Sequence, residues 1–232
     1  MPQEPENLLL VEGKDEQHIF WSLLQQHDFP EVFGIFVPDH HPDAGGKDMI
    51  KEAFATRLKV GNQRRLGVVL DADEDLDARW RSLRDVLRKH GYSTAPDEPD
   101  PMGAIIPPPD APGVREDDTQ FHPVVGIWLM PNNQLPGTLE DFLRWLVPPD
   151  DPDWTHAEGS VATLPSLIAR DVNEAWLSKA RLHTWLAWQE EPGKPFGTAL
   201  TARYLRADAE AVQPLLSWLR RLFVVMVDSD DA

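Results

Sequence analysis

Three short apolar runs punctuate the first seventy residues, and each leads into a segment with helical spacing. Residues 7–11, Asn-Leu-Leu-Leu-Val, stop at Glu12-Gly13, as a buried parallel strand does. Over 14–27, Ile19, Phe20, Leu23 and Leu24 recur on one helical face. The second run, VFGIFV at 32–37, enters a His/Pro/Asp/Gly loop, after which Ile50, Phe54 and Leu58 mark a helix over 47–60. The third, LGVVL at 66–70, ends at Asp71-Ala72-Asp73, and Leu76, Trp80, Leu83 and Leu87 define the next helix. Strand and helix alternating in this way predict a parallel α/β sheet.

The pattern then changes. Residues 93–120 hold 7 prolines, 7 acids and a single basic residue, which predicts an exposed loop interrupted only by Gly103-Ala104-Ile105-Ile106. PVVGIWLM at 123–130 reads as a fourth strand, and 138–147 as a helix burying Leu139, Phe142, Leu143 and Leu146. Residues 148–159 read as a second Pro/Asp loop. The remainder reads as helices at about 163–177, 178–190 and 198–226, with Ser178 as an N-cap and Pro214 in the first turn of a helix. The expected organisation is an α/β core at 1–147, a linker at 148–159 and a helical extension at 160–232 packed on the core. The sheet is expected to be parallel with a mixed edge.

Composition narrows the chemistry. The 232 residues carry 22 Lys+Arg against 39 Asp+Glu, a net charge of −17, which argues against coating DNA by phosphate neutralisation alone. It leaves room for a nucleic-acid enzyme whose acidic site is neutralised by metal ions. The charge is uneven: residues 79–92 carry Arg79, Arg81, Arg84, Arg88 and Lys89 against Asp85 alone. The absence of cysteine excludes disulfides, thiolate zinc, iron–sulfur clusters and a Cys nucleophile. No apolar run reaches the length of a membrane span and the first residues lack a basic signal region, so a cytoplasmic protein without membrane contact is expected.

In an open parallel sheet, ligands sit beyond the carboxyl ends of the strands. Glu12 follows the first run, and Asp71 and Asp73 follow the third. Glu16, four residues after Glu12, can face the same way, and Gly13 permits a sharp turn and close substrate approach. Clustered carboxylates offer the several oxygen ligands that Mg²⁺ or Mn²⁺ requires. A solvated loop of acids is the plainer reading of either motif alone. Both motifs at strand ends of one α/β unit form the more specific pattern.

VEGKDE at 11–16 and VVLDAD at 68–73 resemble the two signatures of the Toprim domain of topoisomerases, primases and several nucleases. The resemblance spans roughly residues 7–145. Gly45-Gly46-Lys47, PNNQLPGTLEDFL at 131–143 and Lys179 in SKARLHTWLA are similar to a bacterial Toprim-related family near the overcoming-lysogenization-defect (OLD) nucleases. The resemblance implies metal ligands at Glu12, Glu16, Asp71, Asp73 and Glu140. It also implies catalytic roles for Glu12, as general base or ligand, and for Lys179. It departs after Asp73, where Glu74-Asp75-Leu76-Asp77 stand in place of an early glycine. With two tyrosines and no cysteine, a topoisomerase and a zinc-bearing primase are poor fits, which leaves a small nuclease.

The expected function is a Mg²⁺- or Mn²⁺-dependent phosphodiesterase acting on DNA or RNA. The alternatives are a non-catalytic module that binds metal or nucleic acid, and a small RNA-maturing ribonuclease. Related nucleases work with an ATPase domain, so a separate ATPase subunit or a homodimer is expected as partner. No GxxxxGK[ST] phosphate loop is present. His40 and His41 read as metal or proton-relay candidates or as a solvated loop. Lys14 reads as a phosphate contact or as a surface lysine. The tryptophans, including Trp176, Trp185, Trp188 and Trp218, read as base-stacking surfaces or, better, as core packing.

Overall fold

The leucines of the first strand alternate between two apolar layers, so this strand needs cover on both sides. In the computed structural model, which describes residues 5–38, 46–109, 122–168 and 171–224, both layers are present. Leu8 and Leu10 of β1 (Asn7–Leu10) join a core with Ile50, Phe54 and Leu58 of α2 (Gly46–Val60) and Trp80, Leu83 and Leu87 of α3 (Leu76–Lys89). Leu9 and Val11 join the opposite core with Ile19, Phe20 and Leu23 of α1 (Lys14–Gln26). Strict alternation of the consecutive apolar residues Leu8 to Val11 between the two cores is what a doubly covered parallel sheet demands.

The sheet is completed by β2 (Gly34–Phe36), β3 (Arg65–Asp71), β4 (Ala104–Ile106) and β5 (Val124–Met130), in the order β2-β1-β3-β5-β4. All pairings are parallel except β4 with β5, which gives the expected mixed edge. The chain moves from β1 outward to β2, then crosses back to lay β3 on the other side of β1. The crevice between the carboxyl ends of β1 and β3 is therefore the topological switch point of the sheet.

Past β5 come α4 (Leu139–Arg144), α5 (Pro152–Ala162), a 3₁₀ turn at Leu164–Ser166, α6 (Glu174–Leu186), α7 (Phe196–Thr201) and α8 (Val212–Phe223). Most of their buried apolar side chains, Val161 and Leu177 apart, belong to the same core as α1. The helix α8 lies directly on the sheet because Gly67 and Gly126, opposite one another in the β3–β5 register, present no side chains. A Cβ at Gly67 would stand 3.1 Å from Leu222, and one at Gly126 would collide with Leu222 and meet Trp218 at 3.0 Å. From there Trp218 Nε1 donates to Ala104 O (3.2 Å), tying α8 to the edge strand β4.

Several boundaries differ from the sequence reading. The stretch 148–159 is no linker loop: Asp151 accepts from Trp154 N at 2.9 Å and Pro152 opens α5, which buries Trp154, Ala157 and Val161. Ser178 is not an N-cap. Asn173 holds that position, accepting from Trp176 N at 3.0 Å, so α6 starts five residues earlier and Lys179 sits inside it. Residues 104–106 are a strand and not a break in a loop. Pro214 does fall in the first turn of α8. Among the described residues, no helix is long and apolar enough to cross a membrane.

Candidate active site

Glu12 leaves the end of β1 and reaches sideways, where its Oε1 accepts from the amide of Asp71 at 3.0 Å. The carboxylate of Asp71 reaches onward, and its Oδ1 accepts from the amide of Leu139 at the head of α4 (2.9 Å). Two hydrogen bonds thus join the ends of β1 and β3 to α4. The PNNQLPGT segment makes this reach possible. Asn133 accepts from Leu129 N (2.7 Å), Asn132 accepts from the amides of Gln134 and Leu135, and Gly137 exchanges two backbone hydrogen bonds with Asp73 (2.8 and 2.7 Å). Asp73 itself has φ of 56°, in the left-handed region that short polar side chains tolerate best after glycine. Thr138 then donates its amide to Asp141 Oδ2 (2.8 Å), which fixes the first turn of α4 and aims Glu140 inward.

All six residues singled out from the sequence, Glu12, Glu16, Asp71, Asp73, Glu140 and Lys179, line one open cleft of ≈ 540 Å³. Gly13, whose Cβ would meet Glu16 Oε2 at 2.9 Å, lets the Glu16 carboxylate fold back over the strand–helix turn. Lys179 Nζ lies 3.2 Å from Glu140 Oε1, and the Glu140 side chain is only 9% exposed. Arg79 pairs with Asp73. A second cleft of ≈ 480 Å³, lined by Arg79, Ser82 and Asn173, adjoins the first at Asp73 and Ala175. The basic run of α3 is partly neutralised within the fold, since Arg84 and Arg88 both pair with Asp97 (3.1 and 2.9 Å).

The crowding of acids leaves a titration signature. Burial, then the neighbouring charges of Glu12 and Glu140, push Glu16 up to about 7, with a backbone amide offsetting part of the rise. Burial first, then Glu12, Glu16, Glu140 and Asp73, hold Asp71 well above the usual carboxylate range. Lys179 is raised: partial burial opposes its charge, but Glu140, Asp15 and Glu16 outweigh it. A divalent cation, with its hard preference for oxygen, would suit this donor set and would relieve the repulsion. Among the described residues, however, no three His, Asp or Glu side chains are drawn close enough to hold an ion as they stand. Glu12, Asp71, Asp73 and Glu140 each engage a protein donor.

His40, His41 and Gly45 lie outside the described residues. Lys14 lines the mouth of the cleft and is exposed. Of the tryptophans assigned to packing, Trp185 and Trp218 are buried, whereas Trp188 is 41% exposed. Trp176 is part of the cleft wall. Sequence reasoning missed this because it started α6 at Ser178, which put Trp176 in another helix; the Asn173-Glu174 cap was the signal that would have found it.

A family model described as "Protein of unknown function (DUF3226)" matches residues 6–224. The chain belongs to that family. No curated protein and no solved structure matches it. The DUF3226 span runs unbroken from β1 through α8, so the acids of the α/β core and Lys179 of the helical segment belong to one family unit.

Proposed function

We propose that this member of the DUF3226 family is a Toprim-like, Mg²⁺- or Mn²⁺-dependent phosphodiesterase acting on nucleic acid. The observation that carries the reading is the convergence of Glu12, Glu16, Asp71, Asp73 and Glu140, from three separate stretches of chain, on the cleft at the switch point of the sheet. Asp71, Glu12 and Glu140 are the residues that would hold the cation, with Asp73 and Glu16 beside them. Such an ion polarises a phosphoryl oxygen and lowers the pKa of bound water. The chain's own contributions are orientation and charge. Leu139 N and Asp71 N fix the rotamers of Asp71 and Glu12. Glu12 is a base within reach of the cleft, and Lys179 offers a cation to the charge that builds on a scissile phosphate.

The rival reading, a non-catalytic binding module, also has an observation behind it. Arg79 and Lys179 already serve as counter-ions to Asp73 and Glu140, as they would in a site with no ion to hold. The two separate on one experiment. End-labelled single- and double-stranded DNA and RNA are incubated with the protein and Mn²⁺, alongside Glu12→Gln and Asp71→Asn. Metal-dependent cleavage lost in both variants, at melting temperatures no lower than that of the wild type, is the expected result. Metal-dependent binding without cleavage in the wild type favours the module, and cleavage that survives both substitutions removes the site assignment.

A further inference from the structure

The two clefts meet at Asp73 and Ala175, and a guanidinium stands at the seam. Arg79 lines the second cleft and pairs with Asp73, which lines both. Its side chain is only 17% exposed, and its Nε is buried with no hydrogen-bond partner. A buried N–H without a partner costs free energy, so this side chain is a donor short of an acceptor. The helix α3 presents it from its polar side. Trp80, Leu83 and Leu87 enter the core, whereas Arg79 and Ser82, three residues apart and so on one face, border the cleft. Much of the remaining wall is small, with Ala72, Ala78 and Ala175. The acids beyond Asp73 are already engaged: Glu74 accepts from Asn173 (3.1 Å), and Asp75 caps α3 by accepting from Ala78 N (2.8 Å). Both are exposed, where water and salt screen their charge.

We infer that this second cleft is a phosphate subsite, in which Arg79 and Ser82 hold the phosphodiester next to the one at the carboxylates. The inference rests on the phosphodiesterase reading above and adds the substrate class. That class is a polynucleotide chain with at least two consecutive phosphodiesters, in place of a lone phosphate ester. Ala175 borders both clefts and carries only a methyl group, so a chain can pass from one to the other. An Asp73 engaged by a cation no longer needs Arg79 as its counter-ion, and the guanidinium can turn to a phosphate. It then offers Nε and a terminal nitrogen side by side, the paired donors that match two oxygens of one phosphate. The same turn gives the orphaned Nε an acceptor. Ser82 Oγ adds a neutral donor from the next turn of α3.

The test is competition against a labelled oligothymidylate, read by fluorescence anisotropy on the full chain with Ca²⁺ present. The competitors are TpT, which has one phosphodiester, TpTpT, which has two, and TpTpT with one linkage replaced by a neutral methylphosphonate. In the wild type TpTpT should compete roughly tenfold better than TpT, the scale of a charge-assisted contact, and the methylphosphonate should lose that advantage. Arg79→Gln should lose most of the TpTpT-to-TpT ratio, and Ser82→Ala a smaller part of it. The ratio is the readout because a general change in cation affinity or stability alters both ligands alike. Should Arg79→Gln fail to fold, Ser82→Ala and the methylphosphonate still decide. Equal ratios in the wild type and both variants overturn the subsite while leaving the phosphodiesterase reading intact. So does a wild type that binds TpT as well as TpTpT. Failure of the wild type to bind or cleave any oligonucleotide with any divalent cation would overturn the phosphodiesterase reading, and the subsite with it.

Discussion

The two halves of β3 are built on opposite principles. Towards its start, Arg65 donates to the carbonyl of Leu222, and Gly67 lies under Leu9, Leu222 and Phe223 with no room to spare. At its end, Asp71 faces Glu12, Glu16, Glu140 and Asp73 in a cleft open to solvent. One end is packed to the limit of van der Waals contact, and the other carries like charges that raise each other's affinity for protons. The fold keeps its tightest packing, at Gly67, and its candidate chemistry, at Asp71, about 13 Å apart along one strand, at about 3.3 Å per residue. The repulsion at one end is sustained by the packing at the other, which is how strained functional sites persist.

The comparison can be broken from the packed end first. Gly126→Val would drive a branched side chain into Leu222 and Trp218. It should cost roughly 3 kcal/mol, seen as a fall in melting temperature of about 10 °C. Metal affinity of the folded fraction should hold. A variant that melts like the wild type would mean α8 is not seated as described.

The charged end should respond to pH in the opposite sense from an ordinary salt-bridged acid. Folding raises the Glu16 carboxyl from its ordinary 4.5 to about 7, first through burial. Between those values the folded state holds a proton that the unfolded state has lost, so stability falls as pH rises. The contribution is complete below 4.5 and gone above about 7. Glu16→Gln should therefore gain roughly 2 kcal/mol at pH 8, after allowing for the water that reaches this carboxyl, and nothing at pH 4. Urea melts at both pH values measure it, and a parallel pH dependence in wild type and variant would count against the crowded cleft. The smallest effect is expected where the regions are stitched together. Asn173→Ala removes the cap of α6 and its bond to Glu74, which should cost about 1 kcal/mol. Because Asn173 anchors the start of the helix that carries Lys179 into the cleft, metal-dependent cleavage should fall by more than this stability loss explains.

The parts of this arrangement that sequence made legible are local ones. An apolar run closed by Glu12-Gly13, or by Asp71-Ala72-Asp73, marks a strand end without help from anything distant. The α/β core and four of its acids, Glu12, Glu16, Asp71 and Asp73, followed from that, whereas Glu140 was implied by the family resemblance. What escaped depended on partners far along the chain. The three residues of β4 are too few for any periodicity, and their place is secured by Trp218, 114 residues later. In α5, Asp151-Pro152 carried a sound cap signature, hidden inside a stretch whose proline and aspartate content reads as loop. The metal, the Toprim likeness and the catalytic roles of Glu12 and Lys179 rest on the resemblance and the shared cleft, and the cleavage assay decides them.

The seat of α8 on Gly67 and Gly126 also sets the order of events during synthesis. A ribosome that has just released Met130 has released every strand of the sheet, yet 93 residues separate Met130 from Phe223. At ordinary elongation rates that interval lasts about ten seconds. Throughout it, the groove over the two glycines lacks its roof and β4 lacks its hydrogen bond from Trp218. A nascent chain in that window is a sheet with one apolar face covered by α1 alone, and it is the species a chaperone would be expected to meet.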